Sequence, residues 1–496
     1  LVLIHNFFCQ KETKLYGFTA SFFMIEAGVF RGVFSDRRLD HRCDFILSDM
    51  ISRQSCVLHR SMADQAALIA SYRFMNNAQV SHAQMAQRLC SNWLEPGAEL
   101  VCIQDSSEAN FGWHSGAFSV QDAHLGPVGN NTDAGFFMHP SLCLNLKDGF
   151  PLGFSDLHLF NRTWGQPDKN QRGYKQLPLE EKESYRWISR ALVSRQALAQ
   201  AAYVLYVSDR ESDIFELFEQ LDGQKSDFLV RLRHDRLLGP AEGEGLRKIS
   251  DKLARCSPQT LVLPLHRSGQ QQKRQAALEV KFTSMQLAFP KNRGRQAFKE
   301  VYVVEAREAA GSVPASQSPV HWQLITSRRV ESLEQARECL HYYSLRWRIE
   351  ELFGLVKSQG LDLESSQLSN GKALKNLAVL ALQAALRLMQ LKEGRERADK
   401  PATVAFRQEE VDFIEAVGKS LEGRTQKQQN PYPPRSLANA CWVIARLGGW
   451  KGLLSQGKPG IKTFAWGMKA FNQQFKGYSL AKTTSLKKAN KDVYKD

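Results

Sequence analysis

The sequence predicts a mixed α/β protein with a strand-rich centre and helical regions at both ends. Two short apolar runs, at residues 100–103 and 203–207, are each stopped by polar residues, which is typical of buried strands. Before residue 96 and after residue 370, apolar residues recur instead at a helical spacing. We therefore expect an α/β core between two helical regions.

Size and charge set the broad class of the protein. The chain has 496 residues, enough for two to four domains. Its 66 lysines and arginines outnumber its 51 acidic residues, which gives a net charge of +15. A surplus of this size favours a polyanionic partner such as DNA.

The cysteines and the apolar stretches bear on location. None of the nine cysteines forms a Cys-x-x-Cys pair, so we expect reduced thiols in a cytosolic protein and no zinc site. The most apolar stretch, at 377–389, is short and contains Gln383 and Arg387, so we expect no membrane span.

The first helical region, at 24–95, is rich in basic residues. Residues 1–23 precede the first methionine, Met24, and we interpret them as an extension without assigned function. Asp36 is placed to cap a helix that carries Arg42, and a second helix at 66–74 leaves Arg73 free for a phosphate or a base edge. Taken singly, each arginine is more simply a solvated surface residue.

Each of the two apolar runs leads to an aspartate. The run at 100–103 is followed by Asp105, and the run at 203–207 by Asp209. An acid at the carboxyl end of a buried strand projects into the crevice where open α/β sheets bind ligands, although a lone aspartate there is more often a turn or helix cap. Glu211 and Asp213 follow, and for both we favour the capping role. Between the two acids we expect neighbouring strands at 136–139 and 142–145, then a helix at 180–199.

Five further strand-like runs lie between Asp209 and residue 326. The 141 residues from Asp209 to Glu350 are far more than one strand and one helix require, so we expect a β-rich insertion at about 226–325. The runs are at 228–231, 261–264, 278–282, 301–304 and 322–325.

Residues 343–357 place four polar side chains in one stripe. Tyr343, Arg346, Glu350 and Lys357 are spaced by three, four and seven residues, so on a single helix they would occupy a stripe roughly 60° wide. On spacing alone, a surface helix with ion pairs is the simpler interpretation. The two strand-end acids favour a functional site instead, because with Glu350 they would form a cluster of hard oxygen ligands suited to Mg²⁺ or Mn²⁺.

The closing region is again helical. Apolar residues keep a helical period through 374–388, and further helical segments are expected at 437–447 and 464–471. The tail at 472–496 has six lysines against two aspartates, so we expect a frayed basic segment that screens phosphate weakly.

These residues together resemble a known family. Asp105, Asp209 and Glu350, combined with the Tyr343, Arg346, Glu350 and Lys357 spacing, are similar to the acidic triad and Tyr-Arg-Glu-Lys signature of bacterial insertion-sequence DDE transposases. The subgroup is family four, the relatives of the transposon-five transposase. The resemblance covers roughly residues 30–466.

The resemblance implies a domain arrangement. An RNase H-like catalytic core at 96–225 plus 326–370 would be interrupted by an all-β insert at 226–325. A helical DNA-end-binding domain at 24–95 would precede it, and a helical region for dimerisation and DNA contact at 371–471 would follow, before the basic tail. Relatives of this kind act on bacterial DNA, so a cytoplasmic, nucleoid-associated location is implied.

The resemblance also implies a reaction, of which phosphoryl transfer alone follows from the residues. The three acids would hold two Mg²⁺ ions, with Mn²⁺ able to substitute, for two-metal phosphoryl transfer. In cut-and-paste transposition a water activated by the metal nicks the element's end, and the freed 3′-hydroxyl attacks the opposite strand to form a hairpin. A second water opens the hairpin before the 3′-end joins target DNA. The partners are the terminal inverted repeats, target DNA and a second copy of the chain in a dimeric synapse.

Several DNA contacts are implied by the same resemblance. Relatives bind their inverted repeats through residues matching Arg42 and Arg73, and Asn76 stands where a close relative carries another arginine. Trp322 would stack on a base flipped from the duplex. The backbone near that base would be held by Tyr343 and Arg231, and phosphates beside the metals by Arg346 and Lys357.

Two other functions remain open from the sequence. The chain could be a non-catalytic DNA-binding inhibitor or regulator derived from a transposase, although no acid or signature residue is missing. It could also be a structure-selective nuclease on the same fold. Mg²⁺-dependent nicking would exclude the binder, and joining of a pre-cut 3′-end would exclude the plain nuclease.

Overall fold

The computed structural model describes residues 28–493, apart from 92, 120–121, 130, 166–172, 174–175, 222, 240–241, 243–244, 266–273, 290–298, 314–317, 358–359 and 454–455. The predicted extension at 1–23 and the last three residues of the tail lie outside these residues.

The N-terminal region of the described chain is helical, as predicted. Asp36 caps the first helix by accepting from Arg38 N, and Asp64 caps the third by accepting from Ala67 N. The helix predicted at 66–74 is observed with Asn76 at its C-cap. The bounds are α1 Arg37–Arg53, α2 Leu58–Ser61, α3 Gln65–Met75 and α4 His82–Ser91.

The first seven strands form the centre of a mixed sheet. They are β1 Glu99–Gln104, β2 Ser107–Asn110, β3 Gly126–Val128, β4 Asp133–Asn145, β5 Pro151–Phe160, β6 Tyr203–Ser208 and β7 Ser226–Arg231. Strand β4 pairs antiparallel with β1 and with β5, whereas β6 runs parallel to both β1 and β7. Helices α5 Tyr185–Ala197 and α6 Phe215–Leu221 supply the crossovers that parallel strands require.

Alternation along the parallel strands buries both faces of this sheet. In β1, Leu100 and Cys102 join one apolar cluster with Trp187 of α5, whereas Val101 and Ile103 join the other cluster. A strand buried on both faces reads as a continuous apolar run. This is why the runs at 100–103 and 203–207 carry no alternating polar residues.

The remaining strands extend the same sheet. Strands β8 Gln259–Leu265, β9 Arg274–Leu287, β10 Lys299–Glu308 and β11 His321–Thr326 follow in the order β7-β11-β10-β9-β8, with antiparallel pairing throughout. All five strand-like runs predicted between 226 and 325 are therefore strands.

The insertion predicted at 226–325 differs from expectation in two respects. Its first strand, β7, pairs in parallel with β6 and lies inside the central sheet. The segment is also not all β, because it contains helix α7 Ile249–Arg255. Ile249 and Leu253 are buried one helical turn apart and pack this short helix on the sheet.

Two predictions between the acids are also corrected. The runs at 136–139 and 142–145 are one strand, β4, rather than neighbours, with register irregularities against β5 between Ser141 and Leu142 and between Cys143 and Leu144. The helix predicted from 180 begins at Tyr185, after a 3₁₀ turn at Leu179–Glu181.

The C-terminal region is helical, as predicted. Helix α10 is buried on nearly every face at the centre of the larger apolar cluster. Contrary to the prediction of a frayed tail, the last helix continues to Val493. Throughout the described residues no helix combines the length and apolar character needed to cross a membrane. The bounds are α8 Leu333–Ser344, α9 Trp347–Val356, α10 Gly371–Gly394, α11 Gln408–Leu421, α12 Leu437–Leu447 and α13 Ile461–Val493.

Candidate active site

Strand register places Asp105 and Asp209 side by side. Along the parallel pair, residue 99 faces 203 and residue 103 faces 207, a constant offset of 104. The same offset aligns Asp105 with Asp209. Each aspartate comes directly after the last residue of its strand. Neighbouring strands lie ~4.8 Å apart, so the two carboxylates share one edge of the sheet.

Asp105 lies at a break between two strands. Strand β1 ends at Gln104 and β2 begins at Ser107, while β4 runs past both and pairs with each of them. Within the break, Asp105 Oδ1 accepts a hydrogen bond from its neighbour Ser106 N at 2.8 Å. Its side chain is only 18% exposed. The interruption thus turns one carboxylate out of an otherwise continuous buried strand.

Asp209 is held by a different device. It is the N-cap of a 3₁₀ turn at Arg210–Ser212, and its Oδ1 accepts from Glu211 N at 2.8 Å. Ser212 Oγ donates to the Asp209 carbonyl at 2.7 Å. Asp213 also has a structural role, because its carboxylate accepts from the backbone of Arg233 and His234. The second acid is therefore fixed by local turn hydrogen bonds.

Arg346 links the first acid to the helical glutamate. Its Nη1 lies 3.2 Å from Asp105 Oδ2, and its Nη2 lies 2.5 Å from Glu350 Oε1. The guanidinium is 11% exposed, so both ion pairs are shielded from bulk water. The structure thereby brings Asp105 and Glu350 to a single cation.

Burial and charge act together on Asp105. Burial, and then the neighbouring negative charges of Asp209 and Glu350, raise the pKa of Asp105 to about 7. The Ser106 N–H and the Arg346 guanidinium act in the opposite direction. The charges of both other acids therefore act on Asp105.

The donor set fits a hard divalent cation. Three carboxylates offer the oxygen ligands that Mg²⁺ and Mn²⁺ prefer, and their mutual repulsion at Asp105 would be relieved by added positive charge. Within the described residues no group of three or more acidic, histidine or cysteine side chains is arranged so that it could hold a metal ion. Between Asp105 and Glu350 the bridging positive charge is Arg346.

The four signature residues do not share one helix, contrary to the prediction. Tyr343 belongs to α8, which ends at Ser344, whereas Arg346 is the N-cap of α9 and Glu350 lies in its first turn. Lys357 follows α9 with φ −87° and ψ −87°. Its Nζ lies 3.0 Å from Glu364 Oε1. Tyr343 therefore lies on α8, whereas Arg346, Glu350 and Lys357 lie on α9 and at its two caps.

An aromatic group lies next to Asp209. The rings of Trp322 and Tyr343 meet edge to face, with centroids 5.3 Å apart. Tyr343 is buried, and burial raises the pKa of its phenol while the charges of Arg346 and Arg231 lower it. Arg231 donates to the His321 carbonyl at 3.1 Å. The structure thus brings Trp322, Tyr343 and Arg231 together beside the second acid.

The two N-terminal arginines lie apart from this group, on their own helices. Arg42 on α1 stacks over Phe45 with 5.1 Å between guanidinium carbon and ring centroid. Arg73 on α3 is exposed. Asn76 Oδ1 accepts from Asn370 Nδ2 at 2.6 Å, which ties α3 to the start of α10.

Sequence reasoning missed a network of polar residues behind the acids. Arg186 of α5 bonds both Ser106 and Glu211. Ser106 Oγ also lies 2.7 Å from Nδ1 of the buried His139. The one available signal was His139 itself, a polar residue in the middle of an apolar strand. The spacing of Arg186 carries no such signal.

Comparison with known proteins adds domain assignments. A family model described as transposase DNA-binding matches residues 31–80, which include Arg42 and Arg73. A model described as the transposase DDE domain matches residues 195–387, which include Asp209, Trp322 and Glu350. Asp105 precedes the second match.

Among solved structures, one similar to this chain is that of the piggyBac transposase synaptic complex with hairpin DNA. The sequences are 11% identical, and the match covers 62% of this chain and 49% of that chain with a TM-score of 0.33. That similarity spans about half the length of the piggyBac chain. The family matches establish that this chain carries a transposase DNA-binding domain followed by a transposase DDE domain.

Proposed function

We propose that this protein is a DDE transposase of insertion-sequence family four that cuts its element from DNA and joins it to a target. One observation carries the proposal: Asp105 and Asp209 lie in register on neighbouring parallel strands, and Arg346 connects Asp105 to Glu350. Three carboxylates at one site, beside arginine and lysine side chains that can bind phosphate, suit phosphoryl transfer.

We further propose that the core is RNase H-like. The order β5-β4-β1-β6-β7, with an antiparallel first half and a parallel second half, supports this. Because β7 pairs with β6, we propose that the insertion starts after Arg231 and that the core is 96–231 plus 326–370. We retain 24–95 for DNA-end binding, 371–471 for dimerisation and DNA contact, and 472–496 as the basic tail.

Asp105, Asp209 and Glu350 are the proposed holders of two Mg²⁺ ions, for which Mn²⁺ could substitute. When bound, such ions would activate the attacking oxygen and stabilise the leaving one. The residues themselves supply the negative charge, and the burial of Asp105 keeps bulk water from screening it. Ser106 N and Glu211 N fix one oxygen of each aspartate.

The basic and aromatic side chains are the proposed DNA contacts. Arg346 offers a planar fork to a phosphate, and Lys357 a point charge. Both already pair with carboxylates, Arg346 with Asp105 and Lys357 with Glu364, so a phosphate would exchange one anionic partner for another. Trp322, supported by Tyr343 and Arg231, is the proposed platform for a flipped base. Arg42 and Arg73 are the proposed contacts to the inverted repeat.

The proposed reaction is a series of phosphodiester exchanges. Water attacks at the element's end, breaks the bond to the 3′-oxygen and leaves a 3′-hydroxyl. That hydroxyl attacks the opposite strand, which forms a hairpin and releases the flanking DNA. Water then reopens the hairpin, and the same 3′-hydroxyl attacks target DNA. We propose that two copies of the chain hold the two ends during these steps.

The deciding experiment uses the purified full chain with Mg²⁺ and DNA that carries the ends flanking its own gene. Mapping of the product ends should reveal a nick, then a hairpin, then joined products. Binding without any nicking would indicate a non-catalytic binder. Nicking without joining of a pre-cut 3′-end would indicate a structure-selective nuclease.

A further inference from the structure

Arg186 contacts both loops that carry the strand-end acids. It lies in the first turn of α5, and its side chain is 16% exposed. Its Nε donates to Ser106 Oγ at 3.2 Å, in the loop of Asp105. Its Nη2 donates to Glu211 Oε2 at 3.2 Å, in the turn of Asp209. One planar guanidinium therefore spans the space between the two loops.

On the first side the contact fixes Ser106. An arginine can only donate hydrogen bonds, so Ser106 Oγ accepts from it and keeps its own proton for His139 Nδ1 at 2.7 Å. Burial and the charge of Arg186 hold the pKa of His139 well below its ordinary value, so the ring is neutral and able to accept. Ser106 N in turn donates to Asp105 Oδ1.

On the second side the contact fixes Glu211. The Glu211 backbone N–H donates to Asp209 Oδ1, while its side chain accepts from Arg186. Arg186 thus contacts the side chains of the two residues whose backbone N–H groups orient the acids, Ser106 for Asp105 and Glu211 for Asp209. It touches neither Asp105 nor Asp209 directly.

The rest of the Arg186 side chain is also constrained. Nη1 donates to the Glu183 carbonyl at 3.1 Å and lies 3.3 Å from its carboxylate. The guanidinium carbon lies 5.6 Å from the centroid of the Phe160 ring. The position of the guanidinium is therefore set by the segment just before α5 and by β5, apart from the loops that it joins.

We propose that Arg186 is a positioning residue that sets the separation of Asp105 and Asp209 by joining the two loops that orient them. This inference rests on the proposed function, because it concerns the geometry of the same acid pair. Outer partners of metal-binding side chains typically contribute 10–100-fold to metal affinity or activity. Loss of the bridge should therefore weaken the hold on divalent cations without removing a ligand.

The test compares wild type with Arg186→Gln in two measurements. The first is the Mg²⁺ concentration that gives half-maximal nicking of the end DNA. The second is the Mn²⁺ bound by the protein–DNA complex, measured by electron paramagnetic resonance. We expect the required Mg²⁺ to rise about tenfold or more, with Mn²⁺ affinity weakened in parallel. The nicking rate should approach that of wild type at saturating Mg²⁺.

Arg190→Gln is the matched control. Arg190 lies one turn further along α5, is similarly shielded and pairs with Asp156 of β5 at 3.5 Å. The variant therefore loses an ion pair on the same helix whose partner, Asp156, lies in β5 and not in either acid loop. Its Mg²⁺ requirement should stay at the wild-type value even where its melting temperature falls.

Glu211→Gln keeps the proposal testable where Arg186→Gln fails to fold. The Glu211 side chain is 58% exposed, so we expect no folding defect and a smaller rise in the Mg²⁺ requirement, about two- to fivefold. Combined with Arg186→Gln it should add nothing further. An unchanged Mg²⁺ requirement in every one of these variants that folds, with wild type nicking normally, would overturn the proposal. Absence of nicking by wild type would instead overturn the proposed function.

Discussion

The two acids occupy equivalent positions in the sheet but have different surroundings. Asp105 has a side chain that is 18% exposed, pairs with Arg346 and has Ser106 and His139 behind it. Asp209 caps a 3₁₀ turn and has the aromatic pair of Trp322 and Tyr343 nearby. We call these the arginine side and the aromatic side of the site. We expect the arginine side to control the charge of the site and the aromatic side to control the shape of bound DNA.

The largest expected effect is common to both sides. Asp105→Asn, Asp209→Asn or Glu350→Gln should each slow nicking by about 10³-fold or more, since charge stabilisation by a metal site is worth several kcal/mol. Binding of end DNA should persist, because many phosphate contacts carry it. Gel assays of nicking and binding measure the two properties separately.

Glu338→Gln is the control for this loss of activity. Glu338 lies on α8 and forms a partly exposed ion pair with Arg328 at 3.0 Å, so its removal should leave nicking near wild type. Near-normal nicking by Asp209→Asn would remove Asp209 from the site.

The next effect should separate the two sides. Trp322→Ala should slow hairpin formation roughly tenfold to a hundredfold, because base–aromatic stacking contributes ~1–3 kcal/mol. The first nick needs no flipped base and should change much less. Trp322→Phe should recover part of the loss.

The ring contact between Trp322 and Tyr343 defines the alternative, in which Trp322 serves only in packing. If Trp322 acts only in packing, its truncation should cost roughly 3–5 kcal/mol of unfolding free energy, and all steps should fail together. Rates of nicking and hairpin formation, measured beside the melting temperature, distinguish these results.

A smaller effect concerns charge on the arginine side in the metal-free protein. With the pKa of Asp105 raised to about 7, the folded chain holds a proton between about pH 4 and pH 7 that the unfolded chain releases. The free energy of unfolding therefore falls as pH rises through this range and stays lowered above it. Asp105→Asn should raise the melting temperature at pH 8, in the presence of a chelator, by about 1 °C for each kcal/mol relieved in a chain of this length.

The corresponding change on the aromatic side is the comparison. Asp209→Asn should also raise the melting temperature at pH 8, but by less, because the charge of Asp209 is the second cause of the raised Asp105 pKa, after burial. Near pH 4 the gain of Asp105→Asn should vanish. Equal melting temperatures for Asp105→Asn and wild type at pH 8 would contradict the electrostatic difference between the sides.

The smallest effect on the reaction rates should come from a substitution outside the site, at Arg73. Affinity for end DNA should fall steeply with salt, as several cationic side chains release counterions. Arg73→Ala should weaken binding and lower the salt slope by about one. At saturating DNA, its nicking and hairpin rates should both match wild type. A selective loss of one step would mean that Arg73 acts on one side of the site.

Local patterns predicted much of the fold. The apolar runs at 100–103 and 203–207, the Asp36 cap and the five strand-like runs after Asp209 were each confirmed. Two errors share a cause, which is that sequence shows where strands lie but not what they pair with. Strand β4 was divided into two, and β7 was assigned to the insertion although it pairs with β6.

The site was predictable where its residues follow strands or keep a helical spacing. Asp105, Asp209 and Glu350 were identified in this way. Arg186 could not be, because its importance comes from two loops that are 80 and 25 residues away in sequence. The single stripe of Tyr343, Arg346, Glu350 and Lys357 was also wrong in detail, since helical spacing does not reveal the break between α8 and α9.

By itself the sequence determined the types of element and the acids at their ends, because burial, capping and periodicity act over a few residues. The tertiary structure alone decided the register that aligns Asp105 with Asp209 and the bridge of Arg346 to Glu350. It also decided the contacts of Arg186. All of these features depend on how segments that are far apart in sequence pack together. A single sequence does not specify the distances between such segments.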